Sequence, residues 1–185
     1  MKYVRPVTLF KTLIKMHRKA VAEGNDCRLL GLDVRNNYVG FALSDCSNLL
    51  SNPLMCLKIY KMDLVAKYIP PFISRLNIVG IVVGKPYVPI ERREDPNEIQ
   101  VRKFISDLCN TGNFEGLEYT YWCDAFASKH LESAYRKDFQ DLYFRAYGLP
   151  LHDEVDSRVR AAVGTLQAYL DHFWDMEKEY KNSKE

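Results

Sequence analysis

The hydrophobic pattern changes period early in the chain. Residues 29–34 are apolar without a break except at Gly31 and Asp33, as in a strand covered on both faces. Residues 38–44 alternate instead, with Val39, Phe41 and Leu43 on one face and Tyr38, Gly40, Ala42 and Ser44 on the other. Asn36 and Asn37 between the two suit a tight hairpin, because Asn tolerates positive φ. Residues 48–60 supply a third strand, which Pro53 confines to a sheet edge or a late start. Residues 63–76 read as a helix that Pro70 and Pro71 should end or kink. The unbroken run from Ile78 to Val83 predicts a central parallel strand, stopped by Gly84, Lys85 and Pro86.

A helix start follows at Asp95 as cap and Pro96 at the first helical position, with Glu98 expected to reach back in a capping box. Val101, Phe104, Ile105 and Leu108 form its apolar face, and Gly112 ends it. Residues 117–122 make a fifth strand, and a helix is expected from about Phe126. The last helix, about residues 155–181, repeats Val155, Val159, Ala162, Val163, Leu166, Tyr169, Leu170 and Phe173 at helical spacing. The order β-β-β-α-β-α-β-α-α predicts an α/β fold: a five-stranded mixed sheet with helices on both faces.

Composition narrows the classes. The 185 residues, 47% hydrophobic and without a bilayer-length apolar run, suit a single soluble domain. A net charge of +2 neither requires nor excludes a nucleic-acid partner. Cys27, Cys46, Cys56, Cys109 and Cys123 are odd in number and contain no CxxC. That argues for an intracellular reducing compartment, the cytoplasm before an organelle, and against a zinc site or a disulfide framework. Residues 1–27 form a basic N-terminal helical extension ahead of a domain at 28–181. Lys2, Arg5, Lys11, Lys15, Arg18 and Lys19 precede the first acid, Glu23, and Leu9, Leu13, Ile14 and Met16 give the segment one apolar face. A helix packed on the domain, an organellar targeting peptide and a phosphate-facing arm all fit this pattern.

Asp33 is the candidate for chemistry. A carboxylate in a buried strand needs a metal, a catalytic task, a cation or a capping partner, because an unpaired buried charge costs several kcal/mol. Lys85, Arg92 and Arg93 sit on the loop beyond the fourth strand, where they either face solvent or contact a phosphate backbone. Between residues 135 and 147, Tyr135, Phe139, Leu142 and Tyr143 share a helical stripe with Arg136, Lys137 and Arg145 interleaved. Such a stripe serves as a core face, a docking surface for a protein partner or second copy through Tyr135, Phe139 and Tyr143, or a base-stacking surface. His17, His130, His152 and His172 form no motif.

The element order, with an Asp in the first strand, resembles the ribonuclease H-like fold. Within it the residues resemble the YqgF-type proteins, which are Holliday-junction-resolvase-like or pre-16S rRNA nucleases. Gly31, Asp33, Gly40, Ala42, Ser44 and Asp45 match that family's GxDxGxKxxGxAxSD opening, and Val82, Val83, Gly84 and Pro86 its VVGxP. Residues 121–128 stand where members carry DERxS/T, and residues 161–170 resemble the closing DxxAAxxxLQxYL helix. The lead Met1 to Pro6 is similar to that of plant members.

The resemblance implies phosphodiester hydrolysis, with three carboxylates holding one or two Mg²⁺ or Mn²⁺ ions. Carried over residue by residue, the first carboxylate is Asp33. The second position holds Ala125, with Asp124 beside it, and the third holds Arg158, with Asp156 two residues away, roughly 200° around a helix. Arg35 replaces the family's Gly after Asp33. Asp33, Asp124 and Asp156 are therefore the candidate catalytic residues, Asp33 the candidate metal ligand, and Lys85, Arg92, Arg93 and Arg158 the candidate nucleic-acid contacts. Asp124 read structurally is a helix cap, and Arg158 a solvent-facing residue of the first helical turn. Two functional readings remain. One is a nuclease acting on structured RNA or branched DNA with a degenerate acidic site. The other is a non-catalytic relative that binds nucleic acid or a protein.

Overall fold

The computed structural model describes residues 1–59, 62–86, 95–123 and 153–182. Within them a mixed sheet runs in the order β1-β6-β5-β2-β3-β4. The strands are β1 (Lys2–Tyr3), β2 (Arg28–Arg35), β3 (Tyr38–Ser44), β4 (Ser51–Lys58), β5 (Ile78–Lys85) and β6 (Glu118–Cys123). The helices are α1 (Pro6–Ala22), α2 (Met62–Arg75), α3 (Pro96–Asn110) and α4 (Asp153–Asn182). No helix of the described residues is long and apolar enough to cross a membrane.

Local chemistry sets the centre of the sheet. Asn36 and Asn37 take φ of 50° and 61°, as the two central positions of a type I′ hairpin require. The turn fixes the β2–β3 register so that Asp33 faces Gly40 and Leu32 faces Phe41. β4 follows antiparallel at the edge, and its ladder slips by one residue where Pro53, lacking an N–H, meets Ala42. β5 runs parallel to β2, and β6 parallel to β5.

The sheet has six strands rather than the expected five. Lys2 and Tyr3 lie parallel to the start of β6, with Lys2 N donating to Leu117 O and Val4 N to Tyr119 O, both at 2.9 Å. Two residues are too short to carry a period, so nothing in the pattern announces this strand. The helix expected within residues 1–27 is present as α1 and packs on the domain, one of the three readings its pattern allowed. Leu9, Phe10 and Leu13 of α1 are buried, Phe10 stacks on Phe173 at 5.1 Å, and the Tyr169 hydroxyl donates to Pro6 O at 2.9 Å.

Two other expectations need correction. α2 continues through Pro70 and Pro71 to Arg75, and the helical bond from Leu76 N to Phe72 O closes its end. At α3, Asp95 does cap the helix, accepting from Asn97 N at 2.8 Å. Glu98, however, is drawn away from the capping box by two cations, Lys85 at 2.9 Å and Arg102 at 2.7 Å.

The two faces of the sheet carry separate cores. α2 and α3 cover Leu30, Leu32, Val34, Phe41, Ile81 and Val83. α1 and α4 cover Leu29, Ala42 and Val82 on the other. Because side chains alternate along a strand, Gly31 and Asp33 share the face of Leu29, beneath α4. Gly40 lets that helix come down. A Cβ built on it would lie 2.1 Å from the carbonyl oxygen of Arg158, so the first turns of α4 rest directly on the residue paired with Asp33.

Candidate functional site

The centre of the site is Asp33, buried on β2 under the start of α4. Its Oδ2 accepts from Arg158 Nη1 at 3.0 Å, with 3% of the Asp33 side chain and 13% of the Arg158 side chain exposed. On its own strand, Arg35 Nε stands 3.6 Å from Asp33 Oδ1. Arg158 also donates through Nη2 to Ser157 Oγ at 2.9 Å. One carboxylate thus lies between two guanidinium groups, and the trio carries one net positive charge. The hairpin supplies Asp33 and Arg35, while the contact of α4 with Gly40 brings Arg158 to them from 125 residues away.

Asp156 does not join this arrangement. α4 begins at Asp153, so Asp156 and Arg158 both lie on regular helix and point in divergent directions. Asp156 is buried, and its Oδ2 pairs with Arg160 Nε one turn on at 3.1 Å. Its other oxygen, Oδ1, has no hydrogen-bond partner among the described residues. Lys85 also lies apart from Asp33. It alternates with Gly84 at the end of β5, falls on the α3 face of the sheet, and is held by Glu98. Asp124, Ala125, Arg92, Arg93 and the stripe of Tyr135, Phe139 and Tyr143 lie outside the described residues, as do His130 and His152.

The described residues do not suit a divalent cation at Asp33. Mg²⁺ and Mn²⁺ take hard oxygen ligands, several of them anionic. Here two guanidinium groups occupy the space around the carboxylate, and at such distances they repel a dication. No group of three or more His, Cys, Asp or Glu side chains comes together among the described residues. The geometry instead presents two guanidinium groups at a buried acid, toward the carboxyl end of the central strands.

The relation to other proteins agrees with the fold. The family model for RuvX, a Holliday junction resolvase, matches residues 27–172. This chain belongs to the RuvX family. A Gluconacetobacter diazotrophicus protein named "Putative pre-16S rRNA nuclease" is 39% identical over 74 residues, which span 40% of this chain and 48% of that one. A protein of the same name from Caldicellulosiruptor bescii is 26% identical over 146 residues, 79% of this chain and 97% of its own. This chain therefore covers about half of the first relative and nearly all of the second. Among solved structures, T. thermophilus RuvC in complex with a Holliday junction substrate superposes with a TM-score of 0.51 at 10% identity, covering 80% of this chain and 96% of that one. That likeness establishes the ribonuclease H-like α/β fold of the RuvX chain.

Two features of this site had weak sequence signals. The replacement of the family's Gly by Arg35 marks added charge near Asp33, but not that the guanidinium turns back onto it. The clearance that Gly40 gives α4 had only its place in the family pattern as a sign.

Proposed function

We propose that this RuvX-family chain binds structured RNA through a positively charged surface centred on Arg35 and Arg158, and that Asp33 positions these cations instead of holding a hydrolytic metal. The observation that carries the reading is the part-buried Asp33–Arg158 pair at 3.0 Å, reinforced by Arg35. In a three-carboxylate site the local charge is strongly negative and only metal ions make it tolerable to phosphates. Here two guanidinium groups stand at one carboxylate, so a phosphate oxygen meets cations at the position where the family pattern places metal ligands. Arg35 is the accessible member, with 29% of its side chain exposed. RNA is favoured over branched DNA because the relatives matched in sequence carry a pre-rRNA name.

Fluorescence anisotropy with a labelled RNA hairpin, run in EDTA across a salt series, tests this directly. Wild type should bind without divalent ions, with affinity falling linearly in log salt. Arg35→Gln should weaken binding and reduce that slope by about 1, as expected for one lost phosphate contact. A parallel cleavage assay with Mg²⁺ or Mn²⁺ compares wild type with Asp33→Asn on the same hairpin and on a four-way DNA junction. Cleavage by wild type that the substitution abolishes, or binding that requires the metal, would overturn the proposal.

A further inference from the structure

The face of the sheet opposite Asp33 carries a second concentration of functional chemistry at its far edge. Tyr119 and Tyr121 alternate on β6 and point to the α3 side, and the short β1 sets Tyr3 directly beside Tyr119. The three rings touch. Tyr3 and Tyr119 meet edge to face at 5.7 Å, Tyr119 and Tyr121 edge to face at 5.6 Å, and Tyr3 lies 6.0 Å from Tyr121. They floor a cleft of about 640 Å³ walled by α3, with Arg102 and Ile105 on the wall and Lys85 at one end. Tyr3 is 51% exposed, so the floor opens to solvent.

The cations of the cleft are fixed by Glu98, which bridges Lys85 at 2.9 Å and Arg102 at 2.7 Å. Hydrogen bonds from Lys85 first, and then from Arg102, hold the Glu98 carboxyl below its ordinary range, so it stays ionised at neutral pH. The cluster keeps one net positive charge. Lys85 and Arg102 together carry more N–H donors than Glu98 can accept, which leaves several for another ligand. Burial pushes the Tyr121 hydroxyl up to about 12, so the floor is uncharged at physiological pH.

We infer that this cleft binds an unpaired segment of RNA, with bases on the tyrosine floor and backbone phosphates on Lys85 and Arg102. Neutral aromatic faces beside fixed cations are the two elements that single-strand recognition combines. A cleft of this size also falls within the roughly 300–1,000 Å³ of small-ligand sites, which is enough for a nucleotide. The inference rests on the reading of this chain as an RNA-binding protein, but on residues that the Asp33 surface does not use. The two surfaces lie on opposite faces of one sheet, so an RNA with a helix next to an unpaired tail could engage both.

The test uses the full chain and a single-stranded oligouridine RNA carrying one 2-aminopurine, in EDTA. Stacking on a tyrosine quenches that base, a signal that a purely structural role for the tyrosines would not produce. Wild type should bind and quench. Tyr3→Ala should weaken binding roughly tenfold or more, the usual cost of losing one stacking ring, and should remove most of the quenching. Tyr3→Phe, which keeps the ring, should retain both. Arg102→Ala should weaken binding and lower its salt slope. Arg35→Gln separates the two surfaces: it should weaken the RNA hairpin more than oligouridine and leave the 2-aminopurine quenching in place. Oligouridine binding with no hairpin binding would leave this inference standing and remove the Asp33 reading. Hairpin binding with no oligouridine binding, unchanged affinity in Tyr3→Ala, or tighter binding of the matching DNA would overturn the cleft.

Discussion

Asp33→Asn is expected to destabilise this protein by about 3 kcal/mol, the low end of the cost of breaking a buried pair, lowering the melting temperature by on the order of 10 °C, because it leaves a part-buried guanidinium without the Asp33 counter-charge. The sign is the informative part. Where several carboxylates are gathered to receive a cation, each raises the energy of the others, so removing one relaxes the metal-free protein. Here Asp33 has Arg158 at 3.0 Å and Arg35 at 3.6 Å, and both are left facing a neutral amide. Thermal unfolding in EDTA reads the difference directly. Because the pair is largely desolvated, added salt should screen it little. A double-mutant cycle sharpens the result: Asp33→Asn combined with Arg158→Met should cost less than the two single changes summed, since replacing both partners removes the stranded charge. A rise in melting temperature for Asp33→Asn in EDTA, with loss of Mg²⁺-dependent stabilisation in the variant, would identify Asp33 as a metal ligand and sink the ion-pair account.

What the sequence discloses about this molecule is mostly local. The Asn36–Asn37 turn, the Asp95 cap and the central apolar strand each depend on a few consecutive residues, and each stands in the structure where the pattern puts it. The β1 strand escapes because two residues carry no period and their pairing partner lies more than a hundred positions away. Lys85 shows a subtler limit. Alternation along β5 says that Lys85 and Val83 share a face, but which helices cover that face depends on the crossover connections. Only those put Lys85 against Glu98 and away from Asp33. The tyrosine cleft is partly legible, since Tyr119 and Tyr121 stand two apart on a strand and so share a face. Its third ring depends on the unannounced β1. For the Asp33 site, the residue types at positions 35 and 158 signal a departure from the family pattern. The direction of those side chains is a property of how closely α4 meets the sheet.

That closeness yields the second large effect. Gly40→Ala should destabilise the protein by about 3 kcal/mol, at the upper end of the usual cost of overpacking a core, and should also disrupt the Arg158–Asp33 pair. The atom in the way is backbone, not the flexible end of a side chain: the added methyl would lie 2.1 Å from Arg158 O, 2.3 Å from Arg158 C and 2.8 Å from Val159 N. Relief requires the start of α4 to lift off the sheet. Farther along, the same helix rests on Gly31, where an added Cβ would lie 2.8 Å from Leu166 Cβ. Close packing transmits such a displacement instead of absorbing it. The helix must therefore tilt about its well-packed middle, where Ala162, Val163, Leu166 and Tyr169 are buried, or lose contacts along that stretch. Lifting the first turn carries Arg158 away from Asp33 and leaves the carboxylate with Arg35. Binding of the RNA hairpin should fall together with stability, while the tyrosine cleft, built on α3 and the far edge of the sheet, keeps its affinity for oligouridine. Equal losses at both surfaces would mean that the substitution unfolds the domain as a whole. An unchanged melting temperature would mean that α4 does not rest on Gly40, and the route by which Arg158 reaches Asp33 would have to be abandoned.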